Sequence, residues 1–265
     1  MNFIAIAGVI TLRAVYECYS SSPKSSVSFL DRYSLQQFFR DDPDRYFNKL
    51  TQVNLIARGY DSVNSLIHDA VQSADDFSVK EQQHLREKCK LADKFLQQFN
   101  GMPYFPSKKV ASMKWTFAKC VGILYEKGLP HTRQNIIFLY KHLIYDPDIV
   151  GMLIHEKVHV FYRVFPKDMK LWLHKNGYTI YKTLQDYPLA RHNPDIDNIV
   201  YKDKKNNPIL VEFTSKNPKS FDDVVYSVSK SNCLNKRGEP IIKCVINEHP
   251  NETIAYTVSS FYRDS

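Results

Sequence analysis

Cysteine is sparse and unpaired in this chain: five residues, at 18, 89, 120, 233 and 244, with no CxxC among them. An odd, scattered set argues against a disulfide scaffold and against a cysteine-ligated metal, and it fits a reducing compartment. Long apolar runs are missing too. The segment NFIAIAGVITLRAVY at 2–16 has no basic stretch ahead of it and is interrupted by Arg13, so it is too short to cross a bilayer as a helix and lacks the layout of a secretory signal. A buried strand or helix is expected there, with no membrane partner and an intracellular location. Arginine clusters are absent as well. Lys and Arg number 36 against 28 acids, a formal charge of +8, but the lysines fall in short groups, such as 107–109 and 202–205, broken by acids and turn residues. Such a diffuse field confers solubility or attracts acidic partners, and without a basic recognition helix a nucleic-acid partner is not expected. No internal repeat is visible.

What remains is an ordinary folded composition. In 265 residues, 43% are apolar, with 17 Tyr and 16 Phe, enough for a substantial core in one large domain or two small lobes. After a low-complexity surface loop expected at 20–28, helical candidates run at 35–39, 46–57 and 62–71, punctuated by Pro43 and Gly59. Ser78 with Glu81 forms a capping box opening a long helix to about residue 99, in which Leu85, Cys89, Ala92, Leu96 and Phe99 recur at helical spacing. The segments 115–124 and 134–140 are apolar and β-branched enough to be strands, joined by the turn-rich EKGLPHTRQ. There, His131 follows a proline and reads as an exposed turn residue. Strands are expected at 199–201 and 209–214 around the hairpin loop DKKNNP, and at 241–246. The fold class is α+β: a mainly helical region over 1–106, then a region over 107–265 with a mixed sheet.

One string names a chemistry. HEKVH occupies 155–159, within IVGMLIHEKVHVFYRV, an apolar run expected to be a helix. Asp146 or Asp148 can cap it, Pro147 suits its first turn, and Pro166 stops it. Residues four apart on a helix point about 40° apart, so His155 and His159 can present both imidazoles to one ion, and the glutamate between them can act as base on a water at that ion. The competing account makes both histidines semi-buried structural residues, with Glu156 paired to Arg163 or a lysine. That account requires three polar groups to converge on an apolar helix without a common purpose, where each unpaired group costs several kcal/mol.

A third ligand is sought downstream. Pro250 fits the first position of a helix through NETIAYTVSSFY, which puts Glu252 in the first turn on one face with Ala255, Tyr256 and Ser259. A small residue at 255 permits close approach to the HEKVH helix. Equally, Glu252 can serve only the positive end of the helix dipole, in a cap with the groups around His249 and Asn251. His192, Asp195 and Asp197 in the polar loop ARHNPDIDN, and His249 itself, stay open as ligands, since zinc accepts nitrogen and carboxylate oxygen alike. For a tetrahedral oxyanion, Tyr256, His249, His192 or Arg191 can donate a hydrogen bond or charge.

HEKVH with its apolar flanks resembles the active-site helix of the zincin metallopeptidases, and INEHPNETIAY at 246–256 resembles the second helix of their gluzincin branch. The chain as a whole is similar to small zinc metallopeptidases of large DNA viruses. The resemblance covers two short stretches. It departs from the best-known gluzincin pattern in the long separation of His159 from Glu252 and in Ala255 and Tyr256 where an aspartate is usual. It implies a zincin-like fold, a mixed sheet packed on the HExxH helix, and a Zn2+ ion held by His155, His159 and Glu252. Glu156 is then the general base, with Tyr256 and His249 as catalytic donors, and a polypeptide is the substrate. A strand beside the active-site helix would bind that substrate by strand addition. The location implied is the host cytoplasm or a virion. Two other readings share the histidines: an inactive zincin-like binding or structural virion protein, and metal-dependent hydrolysis of something other than a peptide.

Overall fold

The computed structural model describes residues 26–227 and 248–264. The apolar run at 2–16 and the strand expected at 241–246 lie outside the described residues. The chain begins with β1 (Val27–Phe29), followed by the helices α1 (Arg32–Asp41), α2 (Tyr46–Lys49), α3 (Gln52–Arg58) and α4 (Val63–Ser73). A two-residue β2 (Ala74–Asp75) leads to the long α5 (Val79–Gln98) and the short α6 (Ser107–Ala111). Then come β3 (Trp115–Cys120), β4 (His131–Arg133), β5 (Ile136–Tyr140), and the helices α7 (Ile149–Val164) and α8 (Pro166–Lys175). The remainder is β6 (Thr179–Thr183), β7 (Ile199–Lys202), β8 (Pro208–Ile209), β9 (Val211–Phe213), β10 (Val224–Tyr226) and α9 (Pro250–Arg263).

The main sheet is mixed, in the order β1-β3-β5-β4, with β2 beside β1 along the same side of β3. Strands β1, β3 and β5 are parallel, and β4 runs antiparallel to β5 along the open edge. Alternation divides the side chains between two cores. Trp115, Phe117, Ile137 and Leu139 meet α5 and α7 on one face, while Ala118, Cys120, Phe138 and Tyr140 meet α1 and α4 on the other. Burial on both faces explains why these strands read as continuous apolar runs. The two free cysteines among the described residues, Cys89 and Cys120, are both buried, as a reducing environment permits.

The long helix α5 forms as its sequence requires. Ser78 accepts from the Glu81 backbone and Glu81 reaches back to the Ser78 N–H, while Leu85, Cys89, Ala92 and Leu96 make one fully buried stripe. Elsewhere tertiary structure revises the sequence reading. The stretch 46–57 is two helices, because Thr51 caps a new one by accepting from the Asn54 N–H. Val27 and Ser28, expected in a surface loop, pair with Trp115 and Thr116. The strand expected at 209–214 is divided: β8 pairs with β7, as the hairpin requires, whereas β9 pairs with β10 in a separate sheet. The turn-rich EKGLPHTRQ contains β4. His131, expected to be exposed, is 2% exposed and stacks on Phe138 with ring centroids 4.8 Å apart, because strand pairing turns its ring into the aromatic core.

Helix α7 is buried along most of its length. Asp148 precedes it without a side-chain cap bond, its carboxylate instead binding Arg263 at 2.7 Å. Gly151 makes room for that pair, since a Cβ there would lie 2.4 Å from the Asp148 Oδ1. The C-terminal end of α9 is thereby held at the start of α7. Pro166 ends the region as expected, taking the first position of α8.

Candidate metal centre

The site is built where two helices cross the same level in opposite directions. Helix α7 supplies His155 and His159 one turn apart, and α9 supplies Glu252 from its first turn. Ala255, with no accessible surface, keeps the contact thin. Behind the motif, Lys157 anchors α7 to the core. Its ammonium lies 2.5 Å from the Asp93 carboxylate, 3.0 Å from the Ala111 carbonyl oxygen and 4.0 Å from the centre of the Trp115 ring. That contact fixes the rotation of α7 and hence the direction of the two imidazoles.

His155, His159 and Glu252 bring three ligand atoms within 4.8 Å of one another, the one such group of His, Cys, Asp or Glu among the described residues. The two Nε2 atoms are 3.0 Å apart. Glu252 Oε2 lies 3.5 Å from His155 Nε2, and Oε1 lies 3.6 Å from His159 Nε2. Two ligands at zinc bond lengths of about 2.0–2.1 Å and a tetrahedral angle are separated by about 3.3–3.4 Å. The three observed separations bracket that value, with one Glu252 oxygen toward each histidine. The donor set, two imidazoles and one carboxylate with a side open to a cavity, suits a catalytic zinc ion.

The electrostatics of the trio are set by burial and by its carboxylates. Burial lowers the pKa of His155 and the Glu252 carboxylate only partly offsets it, leaving that ring neutral. Burial also opposes a charge on His159, but the Glu252 and Asp195 carboxylates outweigh it and raise its pKa. Glu252 is held well below the usual carboxylate range: burial works against ionisation, and the His159 and His155 rings overcome it. Glu156 is raised well above that range by burial, then by Asp195 and Glu252, and its Oε2 is buried with no hydrogen-bond partner. A cation at the trio would offset this excess of acid. Arg163 does not pair with Glu156. It donates to the Thr132 hydroxyl and the Pro194 carbonyl oxygen, and its charge lowers the pKa of Glu156 by less than burial, Asp195 and Glu252 raise it.

A cavity of about 530 Å3 opens onto His155 and Glu252 of the trio, lined also by Glu156, Tyr256, Arg191, Asn193 and Asp195. The Tyr256 ring packs edge-on to His155 at 4.5 Å, and burial followed by the Glu252 charge raises its pKa, so its hydroxyl stays a donor. His249 stands apart as the N-cap of α9. Its Nδ1 accepts from the Asn251 N–H, and its Nε2 lies 3.2 Å from both the Ile199 carbonyl oxygen and Asp197 Oδ1. Arg191 is engaged by both carboxylate oxygens of Glu248, at 3.1 and 2.8 Å. His192 lines a different cavity, its pKa lowered to about 4 by burial and the Arg58 cation. Asp195 is committed elsewhere, with Oδ1 accepting from the Thr132 N–H at 2.6 Å and from its hydroxyl at 2.7 Å. The outward N–H of Thr132 on the open edge β4, where an added strand would pair, is thus already taken. Asn193 went unremarked in the sequence. It donates toward Glu252, and only its position in a loop rich in turn formers pointed to it.

The sequence His155-Glu156-x-x-His159 with Glu252 brought to it through the fold matches a zincin site of gluzincin type, set in an α+β fold with a mixed sheet. The arrangement is that of a zinc peptidase working through a glutamate-activated water. Among the described residues, no helix is long and apolar enough to cross a membrane. No protein-family model, no curated protein and no solved structure matches this chain.

Proposed function

We propose that this protein is a zinc metallopeptidase that hydrolyses a polypeptide substrate, with His155, His159 and Glu252 as the ligands and Glu156 as the general base. The observation that carries it is the convergence of three zinc-type donor atoms beside a buried glutamate oxygen without a partner, with His155, Glu252 and Glu156 lining one cavity. A bound zinc ion supplies Lewis acidity, polarising the substrate carbonyl and lowering the pKa of a water molecule. Glu156 takes the proton from the attacking water and delivers it to the departing amine. The Tyr256 hydroxyl donates to the developing oxyanion, and His249 contributes by capping the helix that carries Glu252. Residues 107–265 carry the chemistry and 1–106 support it. A viral origin, with host cytoplasm or virion as location, rests on the sequence resemblance alone.

One observation favours the second reading, an inactive zincin-like binding protein: the Asp195 carboxylate already holds the edge strand at Thr132. Two measurements separate the readings. Elemental mass spectrometry of the intact chain is expected to find one zinc, lost in His155→Ala and in Glu252→Ala. Glu156→Gln is expected to keep the metal and to lower peptide hydrolysis by about 10²–10⁴-fold. No metal in the intact chain, or metal without hydrolysis, would remove the peptidase reading and select the binding protein.

A further inference from the structure

Segment 189–193 is fixed on both sides by groups distant in the chain. On one side it pairs with β9, the Arg191 N–H donating to the Val211 carbonyl oxygen and the Phe213 N–H to that of Leu189, each at 2.8 Å. On the other, the Asn54 side chain donates to the Ala190 carbonyl oxygen at 3.0 Å and accepts the His192 N–H at 2.8 Å. Arg58 adds a bond to the His192 carbonyl oxygen at 2.7 Å. Asn54 is fully buried and Arg58 nearly so, the latter held by Glu126. These bonds lie in low dielectric, where breaking one leaves a buried polar group unpaired.

The segment ends at Asn193, whose amide orientation is determined by its neighbours. Its Oδ1 accepts the Asp195 N–H at 2.9 Å, so Nδ2 must face the other way. There it lies 3.3 Å from Glu252 Oε1 and 3.4 Å from Glu248 Oε2. Glu248 is in turn clamped by Arg191 from the same segment.

We propose that Asn193 is a positioning residue for the metal site, fixing the rotation of the Glu252 carboxylate, and that α3 sets its place through Asn54 and Arg58. A carboxylate on a first helical turn can swing about its own side-chain torsions. A donor fixed from outside the helix restricts that swing and pre-orients the oxygens toward His155 and His159, as groups behind metal ligands do. The inference rests on the zinc reading but not on peptide hydrolysis.

The test is zinc affinity by chelator competition on the full chain, for the wild type, Asn193→Ala and Asn54→Ala, together with the visible absorption of the Co2+-substituted proteins. Asn193→Ala is expected to bind zinc about 10- to 100-fold more weakly and to shift the Co2+ ligand-field bands, with the unfolding transition of the metal-free protein unchanged. Asn54→Ala is expected to shift the bands the same way without touching the site. Unchanged affinity and unchanged bands in a folded Asn193→Ala protein would overturn the proposal while leaving the zinc reading intact. A wild type that takes up neither metal would overturn both.

Discussion

Without metal, the buried trio shares a proton, and zinc must expel it. His159 holds that proton, because the Glu252 and Asp195 carboxylates outweigh the effect of burial and lift its pKa above 6.5. His155 is lowered by burial and stays neutral. The stabilisation His159 gives the metal-free fold is fully present below pH 6.5 and is lost as pH rises through its folded-state value. That of Glu252, whose pKa is depressed from 4.5, is present above pH 4.5 and is lost as pH falls through its folded-state value. The pair therefore supports the metal-free protein best between those limits. Zinc requires the imidazole lone pair, so below the raised folded-state value of His159 each pH unit removes one unit of proton competition. One proton is worth 1.36 kcal/mol per pH unit, about a tenfold gain in affinity. Burial, then Asp195 and Glu252, also raise the pKa of Glu156, so a proton that it gives up beside a cation steepens the dependence further. His159 and Glu252 are fully or almost fully buried, so solvent screening takes little from this. Chelator competition at half-unit intervals from pH 6 to 8 gives the slope, and calorimetry in buffers of different ionisation enthalpy counts the protons. Glu156→Gln should make the slope shallower. An affinity that stays flat over this range, with no proton released, would refute the picture of a protonated trio awaiting metal.

Other consequences can be measured independently. Lys157→Ala breaks an ion pair whose ammonium is 1% exposed. It should cost about 3–5 kcal/mol and lower the melting temperature by roughly 6–20 °C; a loss below 1 kcal/mol in urea unfolding would mean that Asp93 does not anchor α7. Stripping the metal with free zinc initially at a hundred times its dissociation constant should remove about 2.7 kcal/mol of stability, seen as a lower melting temperature that zinc restores and magnesium does not. Asp195→Ala frees the Thr132 N–H, and losing a charge-assisted bond of about 1.5–3 kcal/mol should speed hydrogen exchange in a peptide spanning 130–134 about ten- to a hundredfold. Unchanged exchange would show that the edge of β4 is closed by something other than Asp195.

Local rules settle a good part of this protein before any fold is known. The capping box at Ser78 and Glu81, the stop at Pro166, the start of the last helix at Pro250 and the hairpin around DKKNNP all follow from interactions within a few residues. The four-residue spacing of His155 and His159 likewise defines half of a metal site, because one helical turn fixes their relation. Glu252 could be nominated from its helix position but not distinguished from a dipole-compensating acid, since that choice depends on α9 lying antiparallel along α7. The same limit explains His131. A three-residue edge strand has too little sequence to show periodicity, and only pairing with β5 turns that ring inward. Asn193 and its anchors Asn54 and Arg58 lie more than 130 residues apart in the chain. Polar residues carry no mark of their partner when it is so distant, so the sequence determined which groups can hold and work a metal, and tertiary packing alone decided which of them face one another.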